Sequence, residues 1–150
     1  MKQEINHTLF FTQSPQEVWE YLTIPELMEQ WLMKSDFKPI VGYQFQFNSK
    51  PIPQLDFDGT FYCTVLEVVP LKKLTYSWKS GPGERNIRID SIVEWVLNAK
   101  ENGTELVLKH SGFSLVDNLP MYAGLNDGWL KNMHKIAALL NKKHDGTTKA

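Results

Sequence analysis

The alternation of apolar and polar residues changes period three times along the chain, and each change marks a different kind of element. Residues 5–12 are rich in β-branched and aromatic side chains and predict a strand. Ser14, Pro15 and Glu17 then form a helix-opening pattern. Ser14 can accept from the backbone N–H of Glu17, Glu17 can reach back to Ser14, and Pro15 sits where a missing N–H does no harm. Val18, Trp19 and Leu22 give that helix an apolar side. A second short helix follows Pro25, with Leu27, Met28, Trp31 and Leu32 on its apolar side. From Phe37 to Phe113 the period falls to two. Tyr43, Phe45 and Phe47 alternate with Gln44, Gln46 and Asn48, and Leu74, Tyr76 and Trp78 alternate with Thr75, Ser77 and Lys79. Residues 57–69, 87–97 and 104–111 predict further strands. Pro70, the glycine-rich stretch 81–83 and Asn102-Gly103 punctuate them as turns. Leu125, Trp129, Met133, Ile136, Ala137 and Leu140 then fall on one face of a closing helix.

Strands joined by short turns predict an antiparallel sheet, and a sheet must bury one face. The closing helix is the one predicted element long enough to cover it. The expectation is an α+β fold: a curved antiparallel sheet of six to seven strands wrapped around a long C-terminal helix, with two short helices after the first strand. Residues 1–150 form a single domain, and residues 144–150 read as a flexible tail.

Composition narrows the function. Sixteen basic and 17 acidic residues give a net charge of −1, which argues against nucleic-acid binding through a broad basic surface. Residues 129–150 carry 5 basic and 1 acidic side chains, so the closing helix is basic relative to the rest. One cysteine, Cys63, excludes an intrachain disulfide and a cysteine-rich zinc site. No apolar run has membrane-spanning length, no signal-peptide core is present, and the default location is the cytoplasm. The outlying number is 12% aromatic residues. Those rings either fill a core or line a cavity.

Four stretches resemble a known family. Residues 14–31, with Val18, Trp19, Leu22, Thr23, Glu26 and Trp31, resemble the opening of helix-grip proteins. Residues 65–70 with Leu74 and Trp78 resemble their central hairpin. Residues 103–113, from Gly103 through His110 to Phe113, resemble a later strand, and Gly128-Trp129 resembles the start of the closing helix. Together they resemble the domain of the activator of heat-shock protein 90 ATPase homologue, within the START-like (SRPBCC) superfamily. The resemblance implies a helix-grip fold with a hydrophobic cavity under the long helix.

Candidate chemistry is sparse. Alternation places Leu106, Leu108 and His110 inward, so His110 is either a hydrogen-bonded core histidine or a group that orients a ligand or acts as a base. Glu94 is expected to face outward. Asp56 and Asp58 read as a loop-edge charge pair, Cys63 as a small core residue, and the four histidines lack metal-ligand spacing. No catalytic residue, metal or cofactor is assigned. The expected function is non-enzymatic binding of a small apolar or amphipathic molecule between sheet and helix. The cavity candidates on the strands are Phe45, Phe47, Phe61, Tyr76, Trp78, Trp95, His110 and Phe113. Met121, Tyr122, Trp129 and Met133 would close it from the helical side. Tyr76 or His110 would orient a polar group. The alternatives are a co-chaperone-like interaction module, with a chaperone or a second copy as partner, and a cyclase- or hydrolase-like enzyme using the same space.

Overall fold

A computed structural model describes the backbone of residues 2–114 and 119–149, and the side chains of residues 4–112 and 123–143. Strand β1 (Lys2–Phe11) leads into helices α1 (Pro15–Thr23) and α2 (Pro25–Trp31). Six strands follow: β2 (Lys34–Ser35), β3 (Gln44–Asn48), β4 (Thr60–Val69), β5 (Lys73–Ser80), β6 (Ile89–Lys100) and β7 (Gly103–Ser114). Helix α3 (Leu119–Lys149) ends the chain. Its backbone stays helical through residues 144–149, the stretch whose composition reads as a tail, but the side chains there lie outside the described residues.

Local chemistry accounts for the corners. The Ser14 hydroxyl accepts from the Glu17 N–H at 3.3 Å, and Pro15 takes the first helical position of α1. Ile24 is extended and serves both as the end of α1 and the start of α2, where Pro25 again comes first. Trp31 then donates from Nε1 to the Tyr21 carbonyl at 2.7 Å, which fixes the angle between the two helices.

The sheet has seven antiparallel strands in the order β1-β7-β6-β5-β4-β3-β2. Strands β2 to β7 form a meander, and β1 returns to pair with β7. Opposite register partners such as Ile5 and His110, or Leu9 and Leu106, put their side chains on the same inner face. A bulge at Leu66 in β4 interrupts its ladder with β5, and bulges increase local twist. Inner-face residues on β3, β4 and β6 are buried while their neighbours in sequence are not, and on β5 the outward Thr75 is buried as well.

Helix α3 lies in the hollow of this sheet. Trp129, Met133, Ile136 and Leu140 are buried, and Leu125 and Ala137 pack against the same cluster half-buried. Polar pins hold the helix at both ends of that stretch. His7 on β1 donates from Nε2 to the Asn126 carbonyl at 3.0 Å, and Gln13 donates from Nε2 to Asn141 Oδ1 at 2.8 Å. The seven-stranded sheet, the two short helices and the covering helix make up the expected helix-grip fold.

Candidate functional site

The inner face of β5, β6 and β7 meets α3 at a hydrogen-bonded chain centred on His110. Trp129 on α3 donates from Nε1 to His110 Nδ1 at 2.9 Å. An indole N–H can only donate, so Nδ1 must accept and the ring proton must sit on Nε2. Nε2 lies 2.8 Å from Ser91 Oγ, and Ser91 donates in turn to the Trp78 carbonyl at 2.8 Å. His110 is fully buried, and burial holds its pKa near 3, well below the usual 6.5. The imidazole is neutral, with one fixed tautomer and both nitrogens engaged. It joins β6, β7 and α3 and has no free lone pair with which to act as a base.

Indoles surround this chain. Trp129 packs against Trp78 at 5.1 Å and against Trp95 at 5.5 Å between ring centroids. Trp31 closes edge-on against Trp95 at 5.9 Å. Three of these four indoles donate: Trp31 to the Tyr21 carbonyl, Trp95 to the Tyr76 hydroxyl, and Trp129 to His110. The fourth, Trp78 Nε1–H, is buried and has no partner. A buried donor left unsatisfied costs about 1–3 kcal/mol.

The sequence candidates separate into two groups. Phe45, Phe47, Tyr76, Trp95, His110 and Met133 are buried in continuous contact, with Tyr76 edge-on to Phe45 at 5.3 Å. Burial raises the Tyr76 phenol pKa, and its oxygen accepts from Trp95. Phe61, Trp78 and Trp129 line the space that remains. Phe113, Met121 and Tyr122 lie outside the residues whose side chains are described.

The remaining space is a gap of about 70 Å³ between the end of α2, the inner face of β4 and β5, and the early turns of α3. Sequence reasoning missed part of its lining: Leu32, Met33, Leu125 and Asn132, with Gly124 and Gly128 between them on α3. The usable signal was the Gly124, Gly128 spacing. Two glycines four apart on the flank of the helix beside Trp129, the first exposed and the second half-buried, leave open space there where side chains would otherwise stand. No titratable side chain lines the gap among the described residues, and Asn132 is its one polar lining side chain among them. A larger hollow of about 410 Å³ lies on the opposite face of the sheet, over outward residues such as Gln44, Gln46, Thr64 and Ser77.

The other candidates resolve into ordinary roles. Glu94 faces outward, 3.7 Å from Lys73. Asp58 accepts from the Thr60 N–H and from the Tyr62 hydroxyl, and that bond to Asp58 pushes the Tyr62 pKa up to about 12. Asp56 lies 3.6 Å from Arg88. Cys63 is buried, and burial raises its thiol pKa well above normal, which keeps it protonated and unreactive. Among the described residues no three His, Cys, Asp or Glu side chains cluster to hold a metal, and no helix is long and apolar enough to cross a membrane.

Comparison with known proteins now bears on this geometry. The model of the family described as activator of Hsp90 ATPase homolog 1-like protein matches residues 12–141. The chain belongs to this family. Among solved Hsp90-activator-like and related folds, MLL2253 from Mesorhizobium loti is 33% identical with a TM-score of 0.81, over 93% of this chain and 98% of that one. The Aha1 dimer from Colwellia psychrerythraea, solved in solution, is 18% identical with a TM-score of 0.73, over 90% and 93% of the two chains. CalU16 from Micromonospora echinospora is 23% identical with a TM-score of 0.69, over 93% and 74%. The last two are likenesses of fold alone. No curated protein matches the chain.

Proposed function

We propose that this chain binds a small, uncharged, mainly apolar molecule in the gap between α2, the sheet and the early turns of α3. The observation that carries the reading is an apolar gap, open to the surface, at the edge of an otherwise close-packed aromatic core, where α3 presents Gly124 and Gly128 rather than large side chains. Pockets of this kind, apolar with few polar groups, are typical ligand sites. Binding fits better than catalysis. The buried imidazole is spent on Trp129 and Ser91, and no acid or base lines the gap among the described residues.

Size sets the terms. A cavity of about 150 Å³ accommodates benzene. A gap of about 70 Å³ takes a smaller guest as it stands, or a larger one if the early turns of α3 shift. Two measurements test the reading. Native mass spectrometry of protein purified from its own host should show a bound small molecule. NMR titration with neutral hydrocarbons from cyclopentane upward should move the signals of Trp129 and Leu125. Gly128→Leu should abolish both effects while leaving the fold intact, because a Cβ at Gly128 meets nothing within 4 Å. No bound molecule, together with unmoved signals across the series, would sink the reading.

A further inference from the structure

The sheet ends unevenly on the side where α1 begins. Strand β6 runs on to Lys100, while β5 starts at Lys73 opposite Val96, so the end of β6 has β7 on one side and no strand on the other. The notch is a groove of about 810 Å³, open to the surface, between the β4–β5 turn and Pro15 at the start of α1. Its chemistry is of one kind. Val69, Leu71, Val96 and Ala99 give it apolar walls, Lys72, Lys73 and Lys100 give it three ammonium groups, and no Asp or Glu lines it. Glu67 and Glu94 hold Lys73. Lys72 and Lys100 make no ion pair among the described residues.

The turn beside the groove carries an unexpected residue. The Lys72 N–H donates to the Val69 carbonyl at 2.9 Å, which puts Pro70 and Leu71 in the middle of the turn, and Leu71 has φ +66. That third turn position favours Gly or Asn, because a Cβ crowds the backbone there. Leucine strains the turn and is still 37% exposed. What it adds is an apolar wall next to Lys72.

We propose that this groove binds a single-chain anionic amphiphile, an alkyl carboxylate or alkyl phosphate. Its tail lies along Val69, Leu71 and Ala99, and its head group is taken by Lys72 and Lys100. Exposed ion pairs alone are worth little, so a bare anion would not be held, and burial of the tail supplies most of the affinity. The lysines then select an anionic head over a neutral or cationic one. A concave notch takes one chain rather than a bilayer surface. The groove shares no lining residue with the gap under α3, so the site stands apart from that reading.

Octanoate, octanol and acetate, all as monomers, separate the contributions in an NMR titration. Octanoate should move the amide signals of Leu71, Lys72 and Ala99 to saturation. Octanol should move the same signals with about tenfold weaker affinity, the effect of losing two exposed ion pairs, and acetate should leave them in place. The double variant Lys72→Gln, Lys100→Gln should erase the preference for octanoate. Leu71→Asn, which suits the turn, should fold at least as stably and bind octanoate severalfold more weakly. Equal affinity for octanoate and octanol overturns the proposal, as do unmoved or unsaturable signals. Octanoate that moves Trp129 and Leu125 instead is bound in the gap under α3, and that also overturns it. A response to phosphatidylglycerol vesicles with none to octanoate overturns it too, because the surface would then be a membrane contact.

Discussion

His110 shows how far a single residue could be read in advance. Alternation along β7 placed it inward beside Leu106 and Leu108, and it is fully buried there. Its partners were not legible. Ser91 is 19 residues away on β6 and Trp129 is 19 residues away on α3, and which turn of α3 faces His110 depends on how high the helix rides on the sheet. The pH consequence follows from the buried neutral ring. Its pKa in the folded protein, near 3, is below the ordinary value of 6.5, so the unfolded chain takes up the proton first as pH falls. The stabilising contribution is complete above about pH 6.5 and is lost progressively down to about pH 3, at roughly 1 kcal/mol per pH unit. At neutral pH His110→Phe should be less stable by about 1–3 kcal/mol, since it orphans the Trp129 N–H and disturbs Ser91. Urea denaturation at pH 7 and pH 4.5 should show the two proteins converging as pH falls. An unchanged difference would mean that the ring is not held neutral.

Among the elements, those with long periods and strong punctuation were legible and those without were not. The Ser14 cap, the meander and the buried face of α3 all follow from residue pattern. Strand β2 has two residues, too few for any period, and forms because Lys34 and Ser35 lie opposite Asn48 and Phe47. Helix α3 begins before its apolar stripe and runs through Gly124 and Gly128, which local propensity disfavours. Packing of its apolar face overrides that cost. Two glycines therefore predict opposite outcomes. Gly128 lies in the helix with open space around it, so Gly128→Ala should raise stability by about 0.5–1 kcal/mol. Gly103 has φ +153 in the turn between β6 and β7, and a Cβ there would stand 1.9 Å from the Phe11 carbonyl oxygen. Gly103→Ala should destabilise the protein by more than about 2 kcal/mol. Thermal melts of the two single variants would show both shifts.

For the molecule as a whole, the aromatic fraction marks the inner face of the sheet and the helix that covers it. Most of the described rings on the strands face inward, Phe10 and Tyr62 being the exceptions, but whether they meet depends on the difference between sheet curvature and ring volume, and sequence patterns do not carry that difference. Trp78, Trp95 and Trp129 bring β5, β6 and α3 into one contact, so sheet and helix should not melt separately. Unfolding curves followed by near-ultraviolet and far-ultraviolet circular dichroism should coincide, and separated transitions would mean that α3 detaches first. The same contact has an optical consequence. Indoles whose centroids lie 5.1 and 5.5 Å apart, on fixed mutual tilts, share their electronic excitations. The far-ultraviolet spectrum will therefore contain an exciton band from the ring cluster on top of the peptide signal. Helix content read from that spectrum in the ordinary way will be in error by an amount that reports the geometry of the indoles.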